Sequence, residues 1–216
     1  MNFELDHLFI CTSLGAPEGD RLIEFGFSEG TPNQHPGQGT ANRRFSFMNA
    51  MIELLWVSNP AEAQSQNTQR TLLWKRWSGR NAGASPFGIC LRPTHPQTPQ
   101  PPFPGWKYKP EYLPPTLALH IAEAGIQEPM WIYMDFTQRS HREHHFAEQA
   151  NGAREITALT LTTPTPLHSL AAQKDQEEGI LQVKPGSHSL LEIELDKNRQ
   201  KKRIDLTPAL PIVLVL

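Results

Sequence analysis

The sequence is poor in features that would assign it to a specialised class of protein. It has two cysteines, Cys11 and Cys90, each within an apolar stretch, so two buried free thiols are favoured over a disulfide scaffold. No apolar run approaches the ~18 residues of a membrane span, and the first residues lack the basic start and apolar segment of a signal peptide. We therefore predict a cytoplasmic protein with no membrane partner.

An excess of charge of one sign is also missing. The formal net charge is −2 over 216 residues, whereas nucleic-acid-binding domains usually carry a basic stripe. The dense basic run at 197–203 is predicted to be a solvated hairpin turn. The chain has no dinucleotide fingerprint, and no Gly-Lys-Ser/Thr follows the glycine-rich loop at 35–43. These absences predict a globular protein with no nucleic-acid partner.

A regular succession of short strands is present instead. The alternation of Phe3, Leu5, His7, Phe9 and Cys11 predicts a first strand with these five side chains on one face, directed inward. A short helix, a loop rich in glycine and proline and a tight pair of strands follow. The same order of strand, helix and strands returns near the end of the chain, which indicates an internal repeat.

The middle of the chain breaks this pattern. Nine prolines between 93 and 115 disfavour both helix and interior strand, and predict a stiff loop whose aromatic residues pack on the domain. Loops of this length are often functional. We predict a single α+β domain of three segments: a first βαβββ module (1–60), a connecting helix, strand and proline-rich insert (61–148), and a second, divergent βαβββ module (149–216).

Three stretches carry a resemblance to a known family. LDHLFI in the first strand, HPGQGTANRRFSF at 35–47 and MIELLWV at 51–57 together resemble the glyoxalase-like branch of the vicinal oxygen chelate superfamily. QANGAREITALTLTTP at 149–164 resembles the start of a second module of that family. The resemblance implies paired βαβββ modules that curl into a cupped mixed sheet around a small-molecule site.

In the metal-using members of that family, each module supplies one ligand from its first strand and one from its last. The resemblance therefore implies His7 and Glu53 as ligands from the first module. In the second module it aligns Ala158 with His7 and Glu192 with Glu53. Ala158 cannot bind a metal, so the predicted metal set is His7, Glu53 and Glu192.

Glu53 carries the strongest local signal. It lies in a segment that is apolar on both faces, where a carboxylate is costly unless it is paired, hydrogen-bonded or bound to a metal. One interpretation is an ion pair with Arg43 or Arg44 on the adjacent strand. The other is a site residue, either a ligand of zinc, nickel, iron or manganese, or a general base beside a carbonyl group.

Further candidates are predicted to line the pocket as substrate-binding residues, with a structural turn or a core position as the alternative for each. They are His35, Gln38, Asn42, Arg43 and Trp56. A separate histidine cluster, His141, His144 and His145, shares one helical face by spacing and is either a metal site or a polar surface segment.

Two functions stay open at this point. The first is a metal-dependent lyase, isomerase or dioxygenase that acts on a small oxygenated molecule. The second is a metal-free protein that sequesters a small molecule in the same cup. A monomer and a homodimer are equally compatible with the sequence.

Overall fold

The computed structural model describes residues 2–95, 100–139 and 146–216, and confirms the predicted α+β class. The strands form two mixed sheets, one of eight strands and one of five. The strands are β1 (Phe3–Cys11), β2 (Asn33–His35), β3 (Thr40–Ser46), β4 (Met51–Val57), β5 (Phe87–Pro93), β6 (Gly105–Tyr108), β7 (Leu119–Ala122), β8 (Met130–Tyr133), β9 (Ile156–Thr163), β10 (Leu181–Pro185), β11 (Leu190–Leu195), β12 (Arg203–Asp205) and β13 (Ile212–Val215).

The helices in the described ranges are short, and the longest has nine residues. They are α1 (Gly19–Glu24), α2 (Pro60–Ala63), α3 (Leu73–Ser78) and α4 (Leu170–Glu178), with 3-10 turns at Gln69–Thr71 and Asp196–Asn198. Asn59 caps α2 ahead of a proline, and Ser169 caps α4. The helix predicted over 60–77 is broken, since Leu72 adopts a left-handed φ of 59° before α3. None of these helices has the length and apolar character needed to cross a membrane.

The first module has the predicted βαβββ order. Strand β1 leads through α1 to β2, β3 and β4, and the strands lie side by side in the order β2-β3-β4-β1. Strand β4 runs parallel to β1, whereas β2, β3 and β4 are joined as antiparallel neighbours. The first and last strands of the module are therefore adjacent, which brings His7 and Glu53 to neighbouring strands.

The segment between the predicted modules is more than a connection, because its strands complete the larger sheet. Strand β5 pairs antiparallel with β1, and β5-β8-β7-β6 repeats the order and the directions of β1-β4-β3-β2. Between β5 and β6 the described residues, 94–95 and 100–104, contain no helix. Strand β6 lies at the sheet edge, where flanking prolines cost no interior hydrogen bonds.

The last part of the chain forms the five-stranded sheet. Its order, β10-β9-β11-β13-β12, reproduces the order and directions of β4-β1-β5-β8-β7 in the larger sheet. Helix α4 follows β9 as α1 follows β1. The internal repeat predicted from the sequence is therefore present, in a reduced form with five strands.

One continuous apolar core holds the two sheets together. The larger sheet contributes Leu8, Ile10 and Trp131, and the smaller sheet contributes Leu159 and Ile193, all of them fully buried or nearly so. Burying one such aliphatic side chain stabilises the fold by about 1.5–3 kcal/mol. The opposite face of the larger sheet carries a second apolar cluster and the largely apolar cavity described below.

A β-bulge in β1 corrects the predicted face of that strand. The pairing with β5 shifts register between Leu5 and His7, so one extra residue is inserted on β1. Phe3 and Leu5 consequently join the core between the sheets, whereas Phe9 packs on the opposite face. The prediction that Phe3, Leu5, His7, Phe9 and Cys11 share one face is therefore wrong.

Candidate functional site

A cavity of about 250 Å³ lies on the face of the larger sheet that carries His7 and Phe9. This volume is below the ~300–1,000 Å³ of sites for drug-sized ligands, and suits a small molecule. Its wall is mostly apolar, with a few polar groups. The lining residues are His7, Phe9, Asn33, His35, Gln38, Arg44, Met51, Glu53, Leu55, Leu73, Cys90, Tyr108, Tyr112, Leu113, Leu119, Met130, Ile132, Met134 and Phe136.

The bulge on β1 allows His7 to bond with its neighbour in sequence. In a regular strand adjacent side chains point to opposite faces, yet the His7 Nδ1 atom lies 2.7 Å from Oδ1 of Asp6. A carboxylate only accepts hydrogen bonds, so Nδ1 carries the proton. The buried Arg92 donates to Asp6 at 3.1 Å and to Glu4 at 2.9 Å. This buried network fixes the imidazole, with Nε2 on the side of Glu53.

Glu53 lies opposite His7 in the cavity wall. Its Oε2 is 4.0 Å from Nε2 of His7, which is beyond hydrogen-bonding distance. The side chain is only 10% exposed. Within the described ranges, no group donates a hydrogen bond to this carboxylate, and neither Arg43 nor Arg44 forms an ion pair with it. The interpretation of Glu53 as the partner of an arginine is therefore wrong.

The electrostatic setting favours a cationic His7. Burial alone lowers its pKa, but Cys90, Glu53 and the hydrogen bond to Asp6 outweigh that effect and hold the pKa well above 6.5. Burial raises the pKa of the Cys90 thiol, although the adjacent His7 opposes it. The floor of the cavity thus brings together the imidazole of His7, the thiol of Cys90 and the carboxyl group of Glu53.

The glycine-rich loop builds a second wall of the cavity, to which His35 and Gln38 contribute. His35 Nδ1 and Gln38 Nε2 both hydrogen-bond to the Thr40 hydroxyl, at 2.9 and 2.8 Å. Gly39 has a φ of +73°, and a Cβ atom there would lie 2.2 Å from the Asn59 carbonyl oxygen. The loop is therefore both a structural turn and a wall of the cavity.

The connection between β6 and β7, which contains the end of the proline-rich stretch, closes the cavity over this wall. The Tyr112 ring contacts the His35 ring at a centroid distance of 4.7 Å, and Leu113 also lines the cavity. Burial lowers the pKa of His35, and the nearby His7 and Arg44 cations lower it further against the effect of Glu53. His35 is therefore a neutral polar group, held between the glycine-rich loop and an aromatic ring.

Arg43 and Arg44 project to opposite faces of β3, and only Arg44 lines the cavity. Arg43 donates instead to Glu29 at 2.6 Å and to Asp20 at 2.9 Å. The prediction that Arg43 contacts a substrate is therefore wrong, because strand pairing places Arg44 beside Glu53 and Arg43 beside Leu54.

Three further candidates lie away from the cavity. Glu192 is on β11 in the smaller sheet and forms an ion pair with Arg203, so it does not join His7 and Glu53. By strand order, β11 corresponds to β5 and not to β4, which also overturns the alignment of Glu192 with Glu53.

Asn42 is fully buried and accepts from the Asn33 amide, and Trp56 packs against the main core. The cluster His141, His144 and His145 lies outside the described residues.

Among the described residues, His7 and Glu53 are the two candidate metal ligands that come together. Metal sites of the structural and catalytic kinds use three or four protein ligands. Within the part of the chain that the structure describes, no group of three or more His, Cys, Asp or Glu side chains is placed to hold a metal. His7 and Glu53 form only a pair, and we derive no step through a metal.

Sequence reasoning missed Asp6, Cys90, Arg44 and Tyr112. The adjacency of Asp6 and His7 was visible, but alternation assigned them to opposite faces. Cys90 was interpreted as an isolated buried thiol, since its pairing with His7 across β1 and β5 is a long-range contact. The loop aromatics were expected to pack on the domain, yet no local pattern indicated that Tyr112 reaches His35.

No profile of a known protein family matches the chain, and no curated protein matches it in sequence. Among solved structures, it resembles a hypothetical protein from Staphylococcus aureus, with a TM-score of 0.58 and 13% identity over 99% of both chains. At this identity the likeness shows the fold alone. A xylose isomerase-like TIM barrel/4-hydroxyphenylpyruvate dioxygenase fusion protein gives a TM-score of 0.49 at 11% identity, over 91% of this chain and 37% of that one, which is too low to carry an argument.

Proposed function

We propose that the cavity binds a small, largely apolar molecule with two adjacent oxygen atoms, which Glu53 and His7 anchor without a metal ion. The observation that carries this proposal is the Glu53 carboxylate, which is buried at the cavity wall without a hydrogen-bond donor among the described residues. A buried polar group without a partner costs about 1–3 kcal/mol, and more when it is charged. A ligand hydroxyl group supplies the missing donor.

The two anchoring groups differ in character, which defines the ligand further. Glu53 accepts a hydrogen bond, whereas the Nε2–H group of His7 donates one. Their separation of 4.0 Å is too long for a direct hydrogen bond. A ligand with a hydroxyl beside a second hydroxyl or a carbonyl satisfies both groups at once, while Phe9, Leu55 and Ile132 pack against its apolar part.

A metal-dependent lyase, isomerase or dioxygenase is the second candidate. The observation that favours it is the position of His7 on β1 and Glu53 on β4, the two strands that supply ligands in the glyoxalase-like resemblance. The donor set weighs against it, since only these two candidate ligands come together among the described residues. Titration of the protein with nickel, zinc, manganese and iron(II), followed by mass spectrometry, separates the two candidates. Near-stoichiometric metal that disappears in Glu53→Gln would replace our proposal with this one.

The proposal is tested with 1-phenylethane-1,2-diol as a neutral probe that carries adjacent hydroxyl groups on an apolar skeleton. Isothermal titration calorimetry compares the wild type with Glu53→Gln. We expect the substitution to weaken binding about tenfold or more, because a hydrogen bond to a charged group contributes ~1.5–3 kcal/mol and 1.4 kcal/mol is tenfold.

Glu192→Gln is the matched control. It removes the same charge from the partly exposed pair with Arg203 in the smaller sheet, and should leave the affinity unchanged. The proposal fails if the diol does not bind at millimolar concentration, or if Glu53→Gln and wild type bind it equally. Thermal unfolding of each variant establishes that the fold is retained.

A further inference from the structure

Among the described residues, the guanidinium of Arg44 in the cavity wall has no anionic partner. It is half-buried, and its Nε donates to the Thr31 carbonyl oxygen at 2.6 Å. Within the described ranges no carboxylate lies close enough to form an ion pair with it. Arginine presents five donors in a planar fork, so the bond to Thr31 leaves donors available to a ligand.

The position of Arg44 beside Glu53 makes this lack of an ion pair informative. The two residues are direct cross-strand partners in the pairing of β3 with β4. Such partners have Cβ atoms about 4.5–5.5 Å apart, which is close enough for opposite charges to pair. They instead line the cavity as two separate charged groups. One ligand with an anionic end and a donor end would complement both of them.

The chain offers its own comparison in Arg43. This neighbour has both sides of its guanidinium occupied, by Glu29 and Asp20, on the other face of the same strand. Two arginines adjacent in sequence thus differ in one respect that matters for binding. Arg43 is neutralised within the protein, whereas Arg44 faces the cavity with its charge unmatched.

We infer that the ligand is a carboxylic acid whose carboxylate binds Arg44 while an adjacent hydroxyl group donates to Glu53, so that the site takes small apolar 2-hydroxy acids. This inference rests on the proposed function, because it uses the same cavity and the same Glu53 anchor. The planar fork of arginine matches a carboxylate with two parallel hydrogen bonds, which gives geometric specificity as well as affinity.

The test replaces one group of the neutral probe. Mandelate has the skeleton of 1-phenylethane-1,2-diol, with a carboxylate in place of the terminal CH₂OH group. Calorimetry measures both probes with the wild type, Arg44→Gln, Arg44→Lys and the control Arg43→Gln. We expect wild type to bind mandelate about tenfold more tightly than the diol. Arg44→Gln should abolish this preference.

The controls separate charge from shape. Arg43→Gln should keep the full preference, and Arg44→Lys should keep part of it, because lysine retains the charge without the planar fork. If the wild type binds the diol as tightly as mandelate, or if Arg44→Gln keeps the preference, the inference is overturned and the proposed function stands. If neither probe binds, both fail together.

Discussion

The buried network behind His7 allows a sharp test by the substitution Asp6→Asn. Asp6 accepts from His7 at 2.7 Å and from Arg92 at 3.1 Å, and its side chain is 1% exposed. Asparagine has nearly the same shape, but it lacks the charge and turns one acceptor oxygen into an NH₂ donor. One of the two partners must then face a donor, and Arg92 loses its most buried counter-charge.

The expected loss of stability is large for a single isosteric change. Breaking a buried ion pair by removing one partner typically costs ~3–5 kcal/mol. Arg92 keeps two other partners, Glu4 at 2.9 Å and the Asn49 carbonyl oxygen at 2.7 Å, so we expect the lower part of that range, about 3–4 kcal/mol. In a domain of this size, each kcal/mol lowers Tm by roughly 2–4 °C.

Urea unfolding at pH 7 measures this loss, and NMR titration measures the pKa of His7 in the same variant. That pKa should fall, because a hydrogen bond that stabilises the imidazolium is removed. Asp20→Asn is the control, since Asp20 is 71% exposed and its partner Arg43 keeps Glu29. It should cost less than about 1 kcal/mol. If Asp6→Asn costs no more than the control, the network does not hold His7 as we describe.

Three further predictions concern pH and packing. The folded pKa of His7 lies above its unfolded value of 6.5, so its stabilising contribution is complete below pH 6.5 and is lost as the pH rises through the folded value. In urea unfolding, the stability of His7→Gln should therefore decline less at alkaline pH than that of the wild type. Burial raises the pKa of Asp175 from 3.8 to about 6, so the wild type should lose stability as the pH rises between those two values. Asp175→Asn should lose less stability over the same range, and equal pH profiles of the two proteins would contradict this. In Gly88→Ala the new Cβ would lie 1.9 Å from the buried Phe9 ring, which should cost ~1–3 kcal/mol in thermal unfolding. Gly125→Ala should cost less, because its new Cβ would lie 3.5 Å from its nearest neighbouring atom. Equal effects of the two substitutions would refute the steric reasoning.

Local sequence patterns predicted most of the strands, and they singled out Glu53, one member of the His7–Glu53 pair. The segments 3–11 and 51–57 are strands with the predicted bounds, because alternation and β-branched residues act over a few neighbouring positions. The repeat near the C-terminus was also visible, since it depends on the order of elements. Glu53 could be singled out because a carboxylate in an apolar strand is costly to bury.

The sequence by itself thus determined the α+β class and the repeat, and it singled out His7 and Glu53 as candidate site residues. Only the tertiary structure decided which face each residue takes. A bulge beside His7 shifts the side-chain phase of β1 by one residue, and a phase shift of one residue exchanges the two faces of a strand. The pairing of β3 with β4 likewise brings Arg44, and not Arg43, to the cavity. Bulges and pairing register depend on contacts between distant segments, so a pattern of local alternation cannot specify them.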